Sequence, residues 1–360
     1  LFATRMTGLD PLFMLAPVAG LFLFALDWLG LKLKTGLAAA VLVLTGWYLL
    51  PDMEGFRQIF AVLFLGGGII QLIATLQETS KRRGFYPFLV MTLLSLTAVV
   101  RARTGIEFFF SWEMMTVSSY FLVARNGRSV KQALLYLLFS TGGAFLIMAG
   151  LISGSSGAGE IIPLSGLDFN TGVIILLFSG FLIKTGAAGL HVWLPGFYAE
   201  ADEDVTPFLS SLLSKIGIAG LFIFMSLIFY GEYETGVLYR VLGIMGGLTA
   251  FFGALLAVFQ EDVKKLLAYS SMGQLGYILL GAAAASHIGW VASLYITVNH
   301  LLFKGIMFLS IAGVVSRVKT RSMYKMGGMI KRMPFSFTSF LIALIALSGV
   351  PPLTGFGGRW

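Results

Sequence analysis

A few ionisable side chains sit in stretches of this sequence that are otherwise apolar. They are Glu113 in FFFSWEMMTVSSY, Lys184 in FLIKTGAAGLHVWLP, Lys215 in SSLLSKIGIAG, His300 and Lys304 in VNHLLFKGIMF, and Arg359 near the end. Their types suit proton chemistry. A neutral imidazole takes up and releases protons near pH 7. Desolvation brings a lysine towards that range and a nearby carboxylate moves it back, so shifting the carboxylate's influence loads and discharges a proton. His300 and Lys304 are four residues apart and share one helical face. A buried row of Glu, Lys, Lys, His and Lys has the composition of a proton relay.

Three readings of these charges stand side by side. Long side chains can snorkel to a headgroup layer, charges can pair structurally, or the row can line a hydrated ion path. Lys215 lies about eight residues into its apolar run and Lys304 about eleven from the end of its own, which is deep for snorkelling. Each Lys or Arg at a helix centre costs about 2.5–3.5 kcal/mol on insertion scales, which calls for a compensating role.

The elements that carry these residues are membrane spans. The 360 residues are 57% hydrophobic and 12% charged, with a mean hydropathy of +0.89. Apolar runs of about 17–25 residues recur throughout, the length that crosses the hydrocarbon layer. The runs are continuous rather than alternating, which argues against a β-barrel. The fold class is an all-α polytopic membrane protein of twelve spans: 11–29, 36–50, 58–76, 85–102, 105–123, 131–152, 171–194, 207–230, 238–259, 264–284, 288–315 and 334–360.

The chain has no cysteine, which excludes disulfides, thiol catalysis and Cys-ligated iron–sulfur clusters within it. The three histidines lack metal-ligand spacing, and His287 falls in a short loop. A bis-histidine haem on His191 and His300 is the weaker alternative. No Gly-rich phosphate loop, nucleophile elbow or zinc helix is present, so no catalytic residue, metal or cofactor is assigned to this chain. Leu1 stands where a methionine is usual and the last span stops at Trp360, so the expectation is that the natural protein extends beyond both ends.

Basic residues set the expected orientation. Sixteen lie in odd-numbered loops, including Lys81, Arg82, Lys264, Lys265 and six between Arg317 and Arg332, against four in even-numbered loops: Arg57, Arg101, Arg103 and Arg240. Odd loops are therefore placed in the cytoplasm and the N-terminus outside, with a prokaryotic plasma membrane favoured. The exception is AEADED at 199–204, either a solvated turn or a dock for a basic partner.

Two spans carry breaks. Gly186 and Gly189 weaken the seventh and Pro195 ends it, while Pro351 and Pro352 break the twelfth. Interrupted helices in corresponding halves mark inverted-repeat transporters with ion sites near the midplane. The organisation read from this pattern is residues 1–84 as three N-terminal helices, 85–230 as a first five-helix repeat and 231–360 as a second, inverted and truncated. Lys184 then sits at one break and Arg359 near the other.

The motifs WEMMTVSSYFLV, KTGAAGLHVWLP, AEA at 199–201, SSLLSKIGIAG, EDVKKLLAYSSMGQLGY at 261–277, HLLFKGIMFL and SGVPPLTGF follow in this order. From about residue 85 onward the chain resembles the antiporter-like membrane subunits of respiratory complex I, Mrp-type Na⁺/H⁺ antiporters and energy-converting membrane hydrogenases. The resemblance implies about fourteen helices in the full chain, in two inverted five-helix repeats with discontinuous seventh and twelfth helices. It also implies that Glu113 pairs with Lys184, and that Lys215 and the His300/Lys304 region carry protons onward. At the twelfth-helix position, which usually holds Lys or Glu, this chain has Arg359, a side chain that does not deprotonate. AEADEDVTP also replaces what is commonly an uncharged, Pro-containing turn.

The resulting expectation is a cofactor-free subunit that translocates protons, or Na⁺, within a redox-driven complex. Its partners would be other membrane subunits, with peripheral iron–sulfur, flavin or hydrogenase subunits, in a lipid bilayer and without nucleic acid. The alternatives are a subunit of an Mrp-type cation/proton antiporter and a membrane anchor of an inorganic-carbon uptake complex.

Overall fold

A computed structural model describes residues 12–74, 83–125, 127–155, 163–230, 233 and 236–359. Lys81, Arg82 and Trp360, used above, lie outside them. The described residues are helical nearly throughout. Seven helices are long and apolar enough to cross a membrane, and four shorter apolar helices accompany them. With Gly105–Ala124, every expected span contains helix.

By packing, the chain divides into two compact units, Leu1–Phe181 with Ala219–Tyr233, and Leu182–Ile218 with Glu234–Trp360. In the first lie helices α1 (Leu12–Ala25), α2 (Leu31–Leu49), α3 (Gly55–Ala74), α4 (Phe85–Arg101), α5 (Gly105–Ala124) and α6 (Val130–Ser153). α5 begins on a capping box: the Thr104 hydroxyl accepts from Glu107 N, and the Glu107 carboxylate accepts from Thr104 N. The core is aromatic. Phe108 stacks on Trp112 at 5.6 Å and meets Phe224 edge-on at 5.2 Å, an arrangement that aromatic quadrupoles favour.

The second unit is built on α11 (Gly236–Val258), α12 (Val263–Ala283) and α13 (His287–Val318). α11 and α12 approach through small residues, and a Cβ on Gly276 would collide with the Ala250 backbone. Close backbone approach is how helices associate where no hydrophobic drive separates protein from lipid. His287 is the first residue of α13 rather than part of a loop, because the Ser286 hydroxyl caps that helix by accepting from Gly289 N.

The seventh span is interrupted, as expected, and the eighth, expected to be continuous, is interrupted as well. The seventh stops at Thr185 as α7 (Thr171–Thr185), and a separate short helix, α8 (Leu194–Glu200), follows. The eighth is α9 (Thr206–Ser211), a 3₁₀ turn at Leu213–Lys215, and α10 (Ile216–Tyr230). Two further helices complete the unit, α14 (Met329–Arg332) and α15 (Pro334–Ser348).

Candidate functional site

α7 ends on a Schellman motif inside apolar sequence. Gly186 takes φ +72, its N–H donates to Ile183 O, and Ala187 N donates to Leu182 O. These bonds satisfy carbonyls that the interruption would otherwise orphan. The Trp193 indole donates to the same Ile183 carbonyl at 3.1 Å, and Ala188 N donates to the buried Thr249 hydroxyl of α11 at 2.9 Å. Lys184 lies in the last turn of α7 and is 3% exposed. Gly186 is therefore the terminator. Pro195, expected to end this helix, instead opens α8 in its first turn, where its missing N–H leaves no bond unmade. Gly189 takes φ +84 in the connecting segment.

Lys215 is fully buried and occupies the 3₁₀ turn that the sequence reading missed. Its ammonium donates to Ser210 O at 2.9 Å and to the Ser214 hydroxyl at 2.6 Å. Neither Gly nor Pro marks this break. The signal is the serine cluster: the Ser211 hydroxyl donates to Pro207 O and the Ser214 hydroxyl to Ser210 O, both at 2.6 Å. Such back-bonding competes with the helical ladder.

Lys304 and His300 face the interior of the second unit from α13, both fully buried. Lys304 donates to Leu267 O at 2.9 Å and to the Ser270 hydroxyl, both on α12. Among the described residues, the His300 ring nitrogens have no hydrogen-bond partner. The burial and bonding of Lys215 and Lys304 rule out snorkelling for both. Their partners are hydroxyls and main-chain carbonyls, so structural ion pairing does not describe them either. Between the two lysines the Ser210 and Ser271 hydroxyls meet at 3.1 Å. Lys215, His300, Lys304 and Lys184 belong to one unit, whereas Glu113, on α5, belongs to the other.

Arg359 is exposed. Its guanidinium donates to Ser348 O at 2.8 Å and lies 4.9 Å from the Tyr277 ring centroid, a cation–π arrangement. α15 ends at Ser348 with Gly349 at φ +75, so glycine again terminates the helix. Pro351 and Pro352 come after the end and do not cause it.

The acidic segment 199–204 is neither a solvated turn nor an open dock, because the chain supplies its own cations. Lys264, counted above as a loop charge, is 1% exposed and donates to Ala201 O at 2.8 Å and to Glu203 Oε1 at 3.0 Å. Arg321 donates to Ala199 O and Glu200, and its Nε lies 3.4 Å from Asp262 Oδ2. Two cations thus cap the carbonyl end of α8, where the helix dipole favours positive charge. Burial raises the Glu203 pKa, against the opposing pull of Lys264. Lys264 escaped the sequence reading because its position at a span start resembles that of an ordinary flanking charge.

Residues 102–360 match the family model described as NADH:quinone oxidoreductase/Mrp antiporter, transmembrane. Hydrogenase-4 component B of Escherichia coli is 33% identical over 296 residues, covering 76% of this chain and 44% of that protein. A subunit of the Na(+)/H(+) antiporter of Alkalihalophilus pseudofirmus is 28% identical over 330 residues, covering 88% of this chain and 66% of that protein. The chain thus spans about half the length of the curated relatives it matches. Its fold is that of a chain in the membrane-bound sulfane sulfur reductase, an archaeal respiratory membrane complex, with a TM-score of 0.86 at 21% identity over 97% of this chain and 80% of that one. Ordered motifs, interrupted helices, buried lysines and these likenesses agree: the chain belongs to the NADH:quinone oxidoreductase/Mrp antiporter family of transmembrane subunits.

Proposed function

We propose that this chain is an ion-translocating membrane subunit of a redox-driven complex of the NADH:quinone oxidoreductase or membrane-hydrogenase type. The observation that carries the proposal is the pair of fully buried lysines, Lys215 and Lys304, bonded to serine hydroxyls in helices that the family matches. A buried amine held by neutral dipoles can exist with or without its proton. A permanent ion pair would lock it in the charged form.

In this reading Glu113 controls the charge on Lys184, Lys215 and Lys304 with His300 pass the proton laterally, and Arg359 acts as a fixed charge. The chain holds no cofactor, and partner subunits carry iron–sulfur clusters, flavin or a hydrogenase centre. Residues 85–230 and 231–360 act as inverted halves, in a prokaryotic plasma membrane with the N-terminus outside. The likeness to an Na(+)/H(+) antiporter component over 88% of the chain favours a second reading, a cation/proton antiporter subunit that works without redox partners.

The test is mild detergent extraction from native membranes, mass spectrometry of what co-migrates, and proton uptake in vesicles with Lys304→Met. Iron–sulfur or flavin subunits, with donor-driven uptake lost in the variant, support the proposal. Small hydrophobic partners with Na⁺-driven exchange support the antiporter. A variant with full uptake ends both. Because the chain contains no cysteine, single introduced cysteines report each loop's side by labelling, and an N-terminal label reacting only from inside would overturn the orientation.

A further inference from the structure

We propose that Arg321 is a positioning residue: it fixes the far end of α8 and so makes that helix a strut between the break beside Lys184 and the seat of Lys304. The inference rests on the ion-translocating reading above and adds no transfer step to it. α8 is seven residues long, about 10 Å, and is tied at three places. At its start the Trp193 indole donates at 3.1 Å to the carbonyl of Ile183, the residue before Lys184 in the last turn of α7. In its middle Tyr198 meets Phe308 edge-on, with ring centroids 6.4 Å apart and an interplanar angle of 84°. Both rings are buried, and Phe308 stands four residues after Lys304 on α13, on the same face. At its end Lys264, in the first turn of α12, donates to Ala201 O at 2.8 Å. One turn further along α12 is Leu267, whose carbonyl accepts from Lys304.

Arg321 closes that end. Its guanidinium donates to Ala199 O and, at 3.2 Å, to Glu200 Oε1 on α8, and its Nε lies 3.4 Å from Asp262 Oδ2. Asp262 is the N-cap of α12, where its carboxylate accepts from Lys264 N and Lys265 N. The Arg321 carbonyl accepts from Val263 N at 3.0 Å, and Met323 N donates to Glu261 O at 3.1 Å. One residue therefore joins three pieces of chain: the end of α8, the start of α12 and the segment that follows α13. A planar fork with five N–H donors spans such acceptors, whereas an ammonium is a compact point charge. The Arg321 side chain is 34% exposed, and ion pairs open to solvent contribute little to stability. Charge attraction alone is a weak reason for the arrangement. The stronger reason is what α8 connects: the break beside Lys184, the α13 face that carries Lys304, and the α12 turn that holds it. A loose end would let the seat of Lys304 drift relative to the break, and misplacement by about 1 Å from a remote change costs on the order of a hundredfold in rate.

The competing reading is a clamp that only stabilises the fold, and a tether separates the two. The test uses the intact complex in native-membrane vesicles, with donor-driven proton uptake expressed per assembled complex. Arg321→Gln is expected to lower uptake on the order of tenfold or more while donor oxidation persists, and Arg321→Lys should recover only part. Because the chain has no cysteine, Glu200→Cys with Arg321→Cys can be joined by a short bis-maleimide, which re-ties the end of α8 without charge. Cross-linking should restore uptake in the double variant and in neither single one. Trp193→Phe loosens the other end of the strut. Independent sites add in free energy, so two ends of one strut should instead give a combined loss smaller than the product of the single losses. Glu200→Gln replaces Arg321→Gln in that cycle if the arginine variant fails to assemble. Full uptake per complex in Arg321→Gln, a tether that restores nothing, or losses that simply multiply overturn the strut, with Lys304→Met abolishing uptake in parallel. Full uptake in Lys304→Met overturns the translocating reading itself.

Discussion

Two glycine-terminated breaks, after α7 and after α15, use the same backbone and place different chemistry on it. α7 and α15 both stop at a glycine in the left-handed region, Gly186 at φ +72 and Gly349 at φ +75. Both close with the same pair of bonds: the glycine N–H reaches back three residues and the next N–H reaches back five. Two residues before the glycine, however, the first break has Lys184, buried, and the second has Leu347. The second break takes its charge from beyond the end, where exposed Arg359 folds back to cap Ser348 O. A lysine can shed its proton and an arginine does not. The shared motif makes a polar break in each helix, and the side chain beside it differs: a buried lysine at the first and an exposed arginine cap at the second.

The largest expected effect tests that distinction directly. Lys184→Leu, which copies Leu347, is expected to lower coupled proton uptake in vesicles on the order of a hundredfold, whereas Arg359→Gln should retain most of it. Equal losses from both would erase the contrast and make Arg359 part of the path.

The next contrast concerns the two glycines. A Cβ on Gly186 would lie 2.6 Å from Leu194 Cδ1, and one on Gly349 the same distance from Arg359 Cδ. An L-residue in the left-handed region costs about 1–2 kcal/mol at either place. Leu194 is packed in the buried start of α8, while Arg359 is long and exposed. Gly186→Ala should therefore lower the thermal stability of the extracted complex more than Gly349→Ala, and the reverse order would show that the second break is the stiffer one.

A smaller effect is expected at Trp193, whose indole caps Ile183 O. Trp193→Phe should cost about 1 kcal/mol, the net worth of one hydrogen bond, read as a shift in unfolding midpoint. The smallest effect lies at the clamp on α8. Burial holds the Glu203 pKa above its ordinary value, so the folded state binds the proton more tightly than the unfolded one. The contribution of this residue to stability is full below the ordinary carboxylate pKa and is lost as pH rises through the raised one. Glu203→Gln should flatten that part of the stability–pH profile, and an unchanged slope would show that Lys264 alone governs the clamp.

Some of this was legible in residue order. Lys215 and Lys304 announced themselves because a charge within an apolar run is conspicuous whatever surrounds it. The interruption after Lys184 was also visible, although the sequence places the helix end at Pro195, with Gly186 and Gly189 only weakening it, whereas Gly186 is the terminator. Proline's effect on a helix depends on its place in the turn: at the first turn it starts a helix, and only in the interior does it break one. The break at Lys215 was hidden because its signal, a cluster of serines that bond back to carbonyls, is weaker than a glycine or proline. Lys264 and the acidic segment were misread for a longer-range reason. Glu203 and Ala201 lie more than sixty positions before Lys264, and nothing in local sequence says that they meet.

What the sequence determined by itself was the class of structure and the inventory of chemistry. Apolar length fixes membrane spans because every backbone polar group in hydrocarbon must be satisfied within the helix, and a charge inserted there carries its cost regardless of neighbours. Only the tertiary structure decided what each charge is bonded to. Lys215, Lys264 and Arg359 are all basic residues in or beside spans. The first is held by a hydroxyl and a carbonyl, the second by a carboxylate and a carbonyl, and the third reaches a carbonyl and an aromatic face. That assignment depends on which helices pack together, because electrostatic environment is set by neighbours in space.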